Sequence, residues 1–124
     1  MLDKNQICSA DDLPRETVDV PEWGGKLFIR GLTSAERDDY ELAILNPEFH
    51  DKGVKAHWNM KNTKARLVAL CLESAPGERV FSDTAEGEKV LGDKSAGVVA
   101  RLYEVAQRLS GLSAEDVKEL EKNC

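Results

Sequence analysis

Two histidines and their acidic neighbours are the first residues of this 124-residue chain whose types allow metal or catalytic chemistry. His50 and His57 lie seven residues apart, with Glu48 and Asp51 close to them. A zinc site needs converging ligands, and this spacing across a segment that contains Gly53 does not force them together. The chain has no other histidine and no Gly-x-Ser-x-Gly motif, so a nucleophile with a histidine base is not indicated. We therefore predict no metal site and no catalytic residue.

The segment Gly87–Ser95 is a second candidate, because it contains two glycines followed by a lysine and a serine. A phosphate-binding loop needs its lysine directly after the second glycine. Here Asp93 separates Gly92 from Lys94 and would place a carboxylate near a bound anion. The segment is better explained as one helix ending at Gly92 and another starting at Lys94 or Ser95. No cofactor is predicted.

The charges of the chain are unevenly distributed. The net charge is −6, yet the segment 52–66 carries five cations and no acid. Together with Trp58, this segment could contact nucleic-acid phosphates and stack a base. The helix that follows is too apolar to lie exposed in a DNA groove, which favours a solvated face or a dock for an acidic protein segment. We expect no nucleic acid, and take as candidate protein-binding residues Lys52, Lys55, Trp58 and Lys61.

Composition fits one domain spanning residues 1–124, with 41% hydrophobic and 32% charged residues. No apolar run approaches the roughly 20 residues that a membrane span requires, and the first residues lack the apolar core of a signal peptide. Cys8, Cys71 and Cys124 have no short spacing, which is typical of unpaired thiols in a cytosolic protein. A cytoplasmic location with no membrane partner is therefore expected.

The longest apolar run, Ala65–Leu72, predicts the helix around which the rest of the chain is organised. Leu67, Leu70 and Cys71 recur at helical spacing on one side, and Val68 and Leu72 make a second i, i+4 pair on the adjoining side. A helix that is apolar over most of its circumference must be covered from more than one direction. We expect Cys71 to be a buried small apolar residue rather than a reactive thiol.

A β-hairpin over about residues 16–30 is predicted before this helix. Thr17–Val20 alternates in polarity as a half-buried strand does, Gly24–Gly25 suits a turn, and Lys26–Arg30 forms the return strand. Trp23 at the tip has two interpretations: it folds back on the core, or it projects as an anchor for a partner. An unpaired edge of the hairpin also gives a reason to expect self-association.

Helical spacing and capping residues define the remaining elements. A Thr33-x-x-Glu36 capping box starts one helix, and Asn46-Pro47 ends it. The segment 48–57 is irregular and is predicted to be a loop. Helices are placed at about residues 2–10, 34–45, 58–72, 84–91, 95–109 and 113–122. The predicted fold is therefore α+β and predominantly α, with an N-terminal hairpin packed on a bundle of about five helices (about residues 33–122).

Five short motifs in the same order give the chain a resemblance to a known family. They are Val20–Gly25 (VPEWGG), Arg30–Arg37 (RGLTSAER), Asn62–Leu72 (NTKARLVALCL), Val80–Asp83 (VFSD) and Leu109–Val117 (LSGLSAEDV). Together they resemble the tail assembly chaperones of long-tailed bacteriophages, of the type also found in prophages. The resemblance covers nearly the whole chain.

The resemblance implies a non-catalytic role in tail morphogenesis. Members of the family bind the tape measure protein, help recruit tail tube subunits and are absent from the finished virion. A chaperone of this kind needs an exposed apolar grip, for which Trp23 and Phe28 are the candidates. Two alternatives from other classes stay open: a small structural tail component of the completion or connector type, and a nucleic-acid-binding regulator that uses segment 52–66.

Overall fold

The structure is a computed structural model that describes residues 1–45, 47–50, 53–56 and 61–112. Its helices are α1 (Lys4–Ser9), α2 (Ser34–Leu45), α3 (Thr63–Cys71), α4 (Thr84–Gly92) and α5 (Ala96–Leu109). Its strands are β1 (Arg15–Val20), β2 (Gly25–Arg30), β3 (Pro47–His50), β4 (Gly53–Ala56), β5 (Leu72–Ala75) and β6 (Glu78–Arg79). The predicted α+β class, mainly helical with an N-terminal hairpin, is confirmed. The helix predicted at 113–122 lies outside the described residues, and none of the described helices has the length and apolar character needed to cross a membrane.

The N-terminal hairpin consists of β1 and β2, which pair from Arg15 opposite Arg30 to Val20 opposite Gly25. A single 3-10 turn over Pro21–Trp23 connects them. Gly24 closes this turn with φ of 82°, a conformation that a residue with a Cβ rarely adopts. Of the two glycines predicted to make the turn, only Gly24 has a positive φ, because Gly25 is already the first residue of β2.

The hairpin is part of a larger sheet. Its two strands join β5 and β6 in a four-stranded antiparallel sheet with the order β1-β2-β5-β6. The prediction that the central helix continues through Leu72 is wrong: α3 ends at Cys71, and Leu72 begins β5. Leu72 lies opposite Ile29 of β2, and this pairing supplies backbone hydrogen bonds that a further helical turn would forgo. The apolar spacing of Leu72 fits a helix equally well, so its strand state depends on β2.

The predicted loop at 48–57 is also wrong for the residues that the structure describes there. β3 and β4 form a separate two-stranded antiparallel sheet, in which Phe49 lies opposite Val54 and Glu48 lies opposite Lys55. Aromatic and β-branched residues such as these favour strands. The loop was predicted because Pro47 and Gly53, residue types that are depleted in strands, begin the two segments.

The central helix α3 is covered from several sides, as its apolar run predicts. It packs against α4, α5, α2 and β2, and Leu67, Val68, Ala69 and Cys71 have no exposed surface. The core adds residues from every neighbouring element, including Ile29, Tyr40, Ile44, Leu72, Leu91, Val98 and Leu102. The first turn of α2 has the predicted capping box, because Thr33 Oγ1 accepts from the Glu36 N–H (3.2 Å) and Glu36 Oε1 accepts from the Thr33 N–H (3.0 Å).

The four-stranded sheet has two distinct faces, which follow from strand alternation and from the pairing register. The inner face turns toward the helices and is apolar, with Val18, Val20, Leu27, Ile29 and Leu72. The outer face carries the residues that alternate with these: Arg15, Thr17, Asp19, Lys26, Phe28, Arg30 and Glu73. The two faces provide different surroundings for any functional side chain.

Candidate functional site

The predicted grip residues Trp23 and Phe28 do not lie together. Trp23 is half-buried in the 3-10 turn and packs against the core on the inner side of the sheet. Phe28 lies on the outer face, opposite Thr17 of β1 and Glu73 of β5. Trp23 therefore folds back on the core, as the first interpretation predicts, and the part of its ring that faces solvent leaves a contact with a partner as a prediction.

Of the predicted basic segment, the structure describes the side chain of Lys61 among the candidate binding residues. Lys52 and Trp58 lie outside the described residues, and Lys55 is placed on β4 by its backbone. Lys61 is exposed just before α3, where it borders depressions between α2, α3 and α4. Among the described residues that line these depressions, Trp23 is not present, so Lys61 and Trp23 belong to separate surfaces.

A groove forms between the tip of the hairpin and α4, and we call it the hairpin groove. It has a volume of about 270 Å³. Its lining consists of Val20, Trp23, Gly24, Gly25, Lys26, Leu27, Leu72, Val80, Phe81, Val90, Leu91 and Lys94. Four separate stretches of sequence meet here: the hairpin, the start of β5, the segment between β6 and α4, and the C-terminal end of α4 with the residues that follow it.

Side-chain hydrogen bonds hold the elements on both sides of the hairpin groove. On one side, Arg101 of α5 makes two hydrogen bonds to the Glu22 carboxylate (3.0 and 3.1 Å), which ties the 3-10 turn to the helices. The Arg101 guanidinium lowers the pKa of Glu22, so this carboxylate is charged at neutral pH. On the other side, the Asp83 carboxylate accepts from the Ala85 N–H (3.0 Å) and caps α4.

Gly87 sets how closely α4 approaches α3 behind the groove. A Cβ at this position would be 2.8 Å from the Cβ of Ala69 and 2.8 Å from the Cγ of Phe81. Only a glycine allows this approach, and the approach holds the ring of Phe81 between α4 and the hairpin. The position of Phe81 in the groove therefore depends on the absence of a side chain at Gly87.

The hairpin groove is apolar at its centre and basic at its rim. Val80 and Val90 are 40% and 38% exposed, although both are large apolar residues beside the half-buried rings of Trp23 and Phe81. Among the described residues that line the groove, the charged ones are Lys26 and Lys94, and none carries a carboxylate. Apolar side chains of a partner would gain free energy by leaving water at this position, at roughly 25 cal/mol per Å² of buried surface. The arrangement is suited to binding a partner segment rather than to chemical transformation.

Sequence reasoning found Trp23 but missed Val80, Phe81 and Val90 as members of this surface. Each of these residues has an unremarkable local context, and only the packing of α4 on the sheet brings them beside the hairpin. The one available signal was the apolar Val80-Phe81 pair directly before the cap residue Asp83.

A larger depression of about 410 Å³ lies on the other side of α4, between α3 and the start of α5. Lys64 borders it, with its ammonium 5.6 Å from the centre of the Tyr103 ring. Thr63 is also in the lining, and its hydroxyl is buried without a hydrogen-bond partner among the described residues. Of the predicted binding residues whose side chains the structure describes, Trp23, Phe28 and Lys61 do not line this depression.

Charged groups on the outer face of the sheet are paired with one another. Glu73 is 1% exposed, and its carboxylate accepts from Arg15 Nε (2.9 Å) and from the Gly77 N–H (2.8 Å). Arg30 is 6% exposed, and it donates two bonds of 2.8 Å to Glu36. Each buried charge has partners, which is the pattern of a structural network rather than of a reactive centre.

Among the residues that the structure describes, no group of three or more His, Cys, Asp or Glu side chains is placed to hold a metal ion. Comparison of the chain with protein families, with curated proteins and with solved structures finds no match.

Proposed function

We propose that this protein is a non-catalytic tail assembly chaperone of a long-tailed bacteriophage or prophage. In this role it binds the tape measure protein, helps recruit tail tube subunits in the cytoplasm of the bacterial host, and is left out of the finished virion. The ordered set of motifs described above suggests the family. The hairpin groove is the observation that supports the binding role.

A tape measure protein is a long helical chain whose apolar stripes need cover until the tail tube surrounds them. A groove with an apolar centre is a common way to bind one face of an amphipathic helix. Val80 and Val90 supply exposed apolar surface, and Trp23 and Phe81 supply the aromatic contacts typical of interfaces. The negative net charge of −6 helps to keep such a complex soluble.

The test is co-expression of the tagged chain with the tape measure and tail tube proteins encoded beside it. We expect the tape measure protein to be soluble only when this chain is present, and to be retained with it on the affinity resin. If neither protein is retained while this chain is folded, the proposal is wrong. Mass spectrometry of purified virions adds a second check, since a chaperone is missing from them and a structural tail component is present.

Two matched variants then test whether the hairpin groove is the binding surface. Val90→Glu places a carboxylate in the groove, whereas Leu42→Glu makes the same kind of change on α2, where Leu42 is 54% exposed and outside the groove. We expect Val90→Glu to lose the client and Leu42→Glu to keep it. Equal retention by both variants would remove the groove from the proposal.

Trp23→Ala is a less direct probe, because the ring packs against the core as well as lining the groove. We expect it to weaken client binding and also to lower stability. Circular dichroism at the pull-down temperature must therefore show that the variant is folded before its binding is interpreted. Unchanged retention of the client by folded Trp23→Ala would contradict a contact through Trp23.

A further inference from the structure

The larger depression, of about 410 Å³ between α3 and the start of α5, is bordered by two helix starts that lack a side-chain cap, and we call it the α3–α5 depression. The starts of α1, α2 and α4 are capped by the side chains of Asp3, Thr33 and Asp83. Asn62 and Ser95 occupy the corresponding positions before α3 and α5, and neither side chain makes a capping hydrogen bond. Both uncapped starts of the described helices therefore lie at one depression.

Unpaired backbone donors are present at both of these helix starts. The first hydrogen bond of α3 runs from the Arg66 N–H to the Asn62 carbonyl (2.9 Å). The first one of α5 runs from the Val99 N–H to the Ser95 carbonyl (3.0 Å). The three amide N–H groups that precede each of these donors have no partner among the described residues. Such groups, together with the positive end of the helix dipole, attract anions.

Thr63, the first residue of α3, provides an independent sign of a ligand. It is only 8% exposed, and its hydroxyl is buried without a partner among the described residues. Thr63 also lines a crevice toward α2, but that space of about 10 Å³ is at the lower limit for one water molecule. Of these two spaces, the α3–α5 depression is the one with room for a group that accepts from the hydroxyl. A buried hydroxyl without a partner is unfavourable, so such a ligand gains affinity from it.

The side chains around the α3–α5 depression also favour a negative ligand. Among the described residues that line it, the charged ones are Lys64 and Lys94, and none carries a carboxylate. The ammonium of Lys64 lies 5.6 Å from the centre of the Tyr103 ring. Neither lysine forms an ion pair with another residue in the part of the chain that the structure describes. Two positive charges are therefore available to an anion.

Asp93, which argues against a phosphate-binding loop in the sequence, lies outside the described lining of this depression. Asp93 and Glu88 line the adjacent depression beside Lys61, whereas Lys94 lines the α3–α5 depression. The amide donors here come from two separate helix starts and not from a glycine-rich loop. The failed loop motif therefore does not exclude an anion at this position.

We propose that the α3–α5 depression binds a phosphate group. The phosphate oxygens accept from the first-turn amides of α3 and from the Thr63 hydroxyl, and Lys64 and Lys94 balance the charge. A phosphate monoester has three acceptor oxygens and close to two negative charges, which suits this set of donors and two lysines better than a carboxylate does. Leu91 and Val99 add apolar surface that an organic body on the phosphate would contact.

Titration of the isotope-labelled full chain with inorganic phosphate tests the site, with the NMR shifts of the amides as the readout. At constant ionic strength, the amide signals of residues 63–65 and 96–98 should move and saturate with a dissociation constant below about 1 mM. Sodium chloride at the same ionic strength should move them little. Shifts that do not saturate, or that leave out these two helix starts, would overturn the proposal.

Two matched charge variants locate the binding. Lys94→Gln removes an ammonium from the α3–α5 depression, whereas Lys89→Gln makes the same change at an exposed position of α4 outside it. We expect Lys94→Gln to weaken phosphate binding about tenfold and Lys89→Gln by less than about twofold. Both lysines are exposed, so both variants should fold, and the spectrum without phosphate verifies this. An equal effect of the two changes would overturn the proposal.

Thr63→Val separates a ligand-binding hydroxyl from a structural one, because it keeps the shape of the side chain. The hydroxyl has no partner among the described residues, so the variant should unfold at a temperature no lower than the natural chain. It should nevertheless bind phosphate about fivefold more weakly. A variant that is less stable but binds phosphate as the natural chain does would contradict the assigned role.

Phenyl phosphate identifies the source of the phosphate group. Binding about tenfold tighter than that of inorganic phosphate would assign the site to a phosphorylated organic molecule, since the ring then contacts the apolar lining. Equal affinity would assign it to free phosphate, and binding of neither would overturn the proposal. No tape measure protein is present in these titrations, so their outcome bears on this site and not on the chaperone function.

Discussion

The outer face of the sheet buries charged side chains, whereas the hairpin groove leaves apolar side chains exposed to water. On the outer face, Glu73 and Arg30 are almost completely buried, and the polar atoms of Glu73 are met by Arg15 and the Gly77 N–H. In the groove, Val90 remains well exposed although it is apolar. A buried charge with its partners in place contributes to the fold and has little left to offer a ligand. An exposed apolar surface costs free energy until something covers it, and this contrast directs the search for function to the groove.

The largest effect is expected on the outer face. Glu73→Ala removes a buried carboxylate, so the Gly77 N–H loses its acceptor, while Arg15 keeps its bonds to Asp11. Losing a buried hydrogen-bonding partner typically costs about 1–3 kcal/mol, and the lost packing of the side chain adds to this, so the variant should unfold at a lower urea concentration. Glu78→Ala, at an exposed position of β6, is the control and should change stability by no more than about 0.5 kcal/mol. A loss below about 1 kcal/mol for Glu73→Ala would refute a structural role for this network.

The pH dependence of stability examines the same face through Glu36. Burial alone would raise the pKa of its carboxyl, but the Arg30 guanidinium and the Thr33 backbone N–H donate to it and lower the pKa to about 2. A lowered pKa means that the unfolded chain takes up the proton first. The stability due to Glu36 is therefore complete above the usual pKa of 4.5 and is lost as pH falls toward 2.

A pKa shift of this size corresponds to about 3 kcal/mol, and the partial exposure of Glu36 to water reduces its contribution to stability to on the order of 2 kcal/mol. Urea unfolding at intervals between pH 5 and pH 2.5, run on the natural chain and on Glu36→Gln, should give curves that converge at low pH. Glu86→Gln, an exposed change in the first turn of α4, serves as the control. Parallel curves for Glu36→Gln and the natural chain would contradict the role of the Arg30 pair.

Two glycine-to-alanine substitutions test whether the close approach of α4 to α3 behind the groove is needed for stability. Gly87→Ala adds a Cβ within 2.8 Å of Ala69 and Phe81, and such overpacking costs about 1–3 kcal/mol. The better helix propensity of alanine recovers up to about 1 kcal/mol, so a net loss near 1 kcal/mol is expected. In Gly97→Ala the nearest atom is the Ser95 hydroxyl at 3.8 Å, and a gain of about 0.5 kcal/mol is expected. Thermal unfolding measures both, and equal shifts would show that the close approach of α4 is not needed.

The smallest effect on stability is expected in the groove itself. Val90→Glu changes an exposed residue near the end of α4 and should alter the free energy of unfolding by only about 0.5 kcal/mol. The same variant should abolish binding of the client. Urea unfolding and the binding assays together test this separation. A destabilisation as large as that of Glu73→Ala would erase the contrast between the two surfaces.

Recognition of local structure from the sequence succeeded where neighbouring residues decide the outcome. The capping box of Thr33 and Glu36, the turn with Gly24 and the helical spacing of α3 were all predicted, because each depends on side chains within a few positions of one another. The α+β class and the hairpin follow from the same patterns. Trp23 was identified as a candidate from its type and its place at a turn.

Tertiary packing decided the rest. Leu72 continues the apolar pattern of α3, and it became a strand only because Ile29 of β2 is available to pair with it. Phe28 was grouped with Trp23 in the sequence, yet strand alternation in the assembled sheet puts them on opposite faces. The hairpin groove could not be predicted, since its walls come from distant stretches that meet through Gly87. Sequence determined the short-range hydrogen bonds of this protein, and only long-range contacts decided which apolar residues were left facing water.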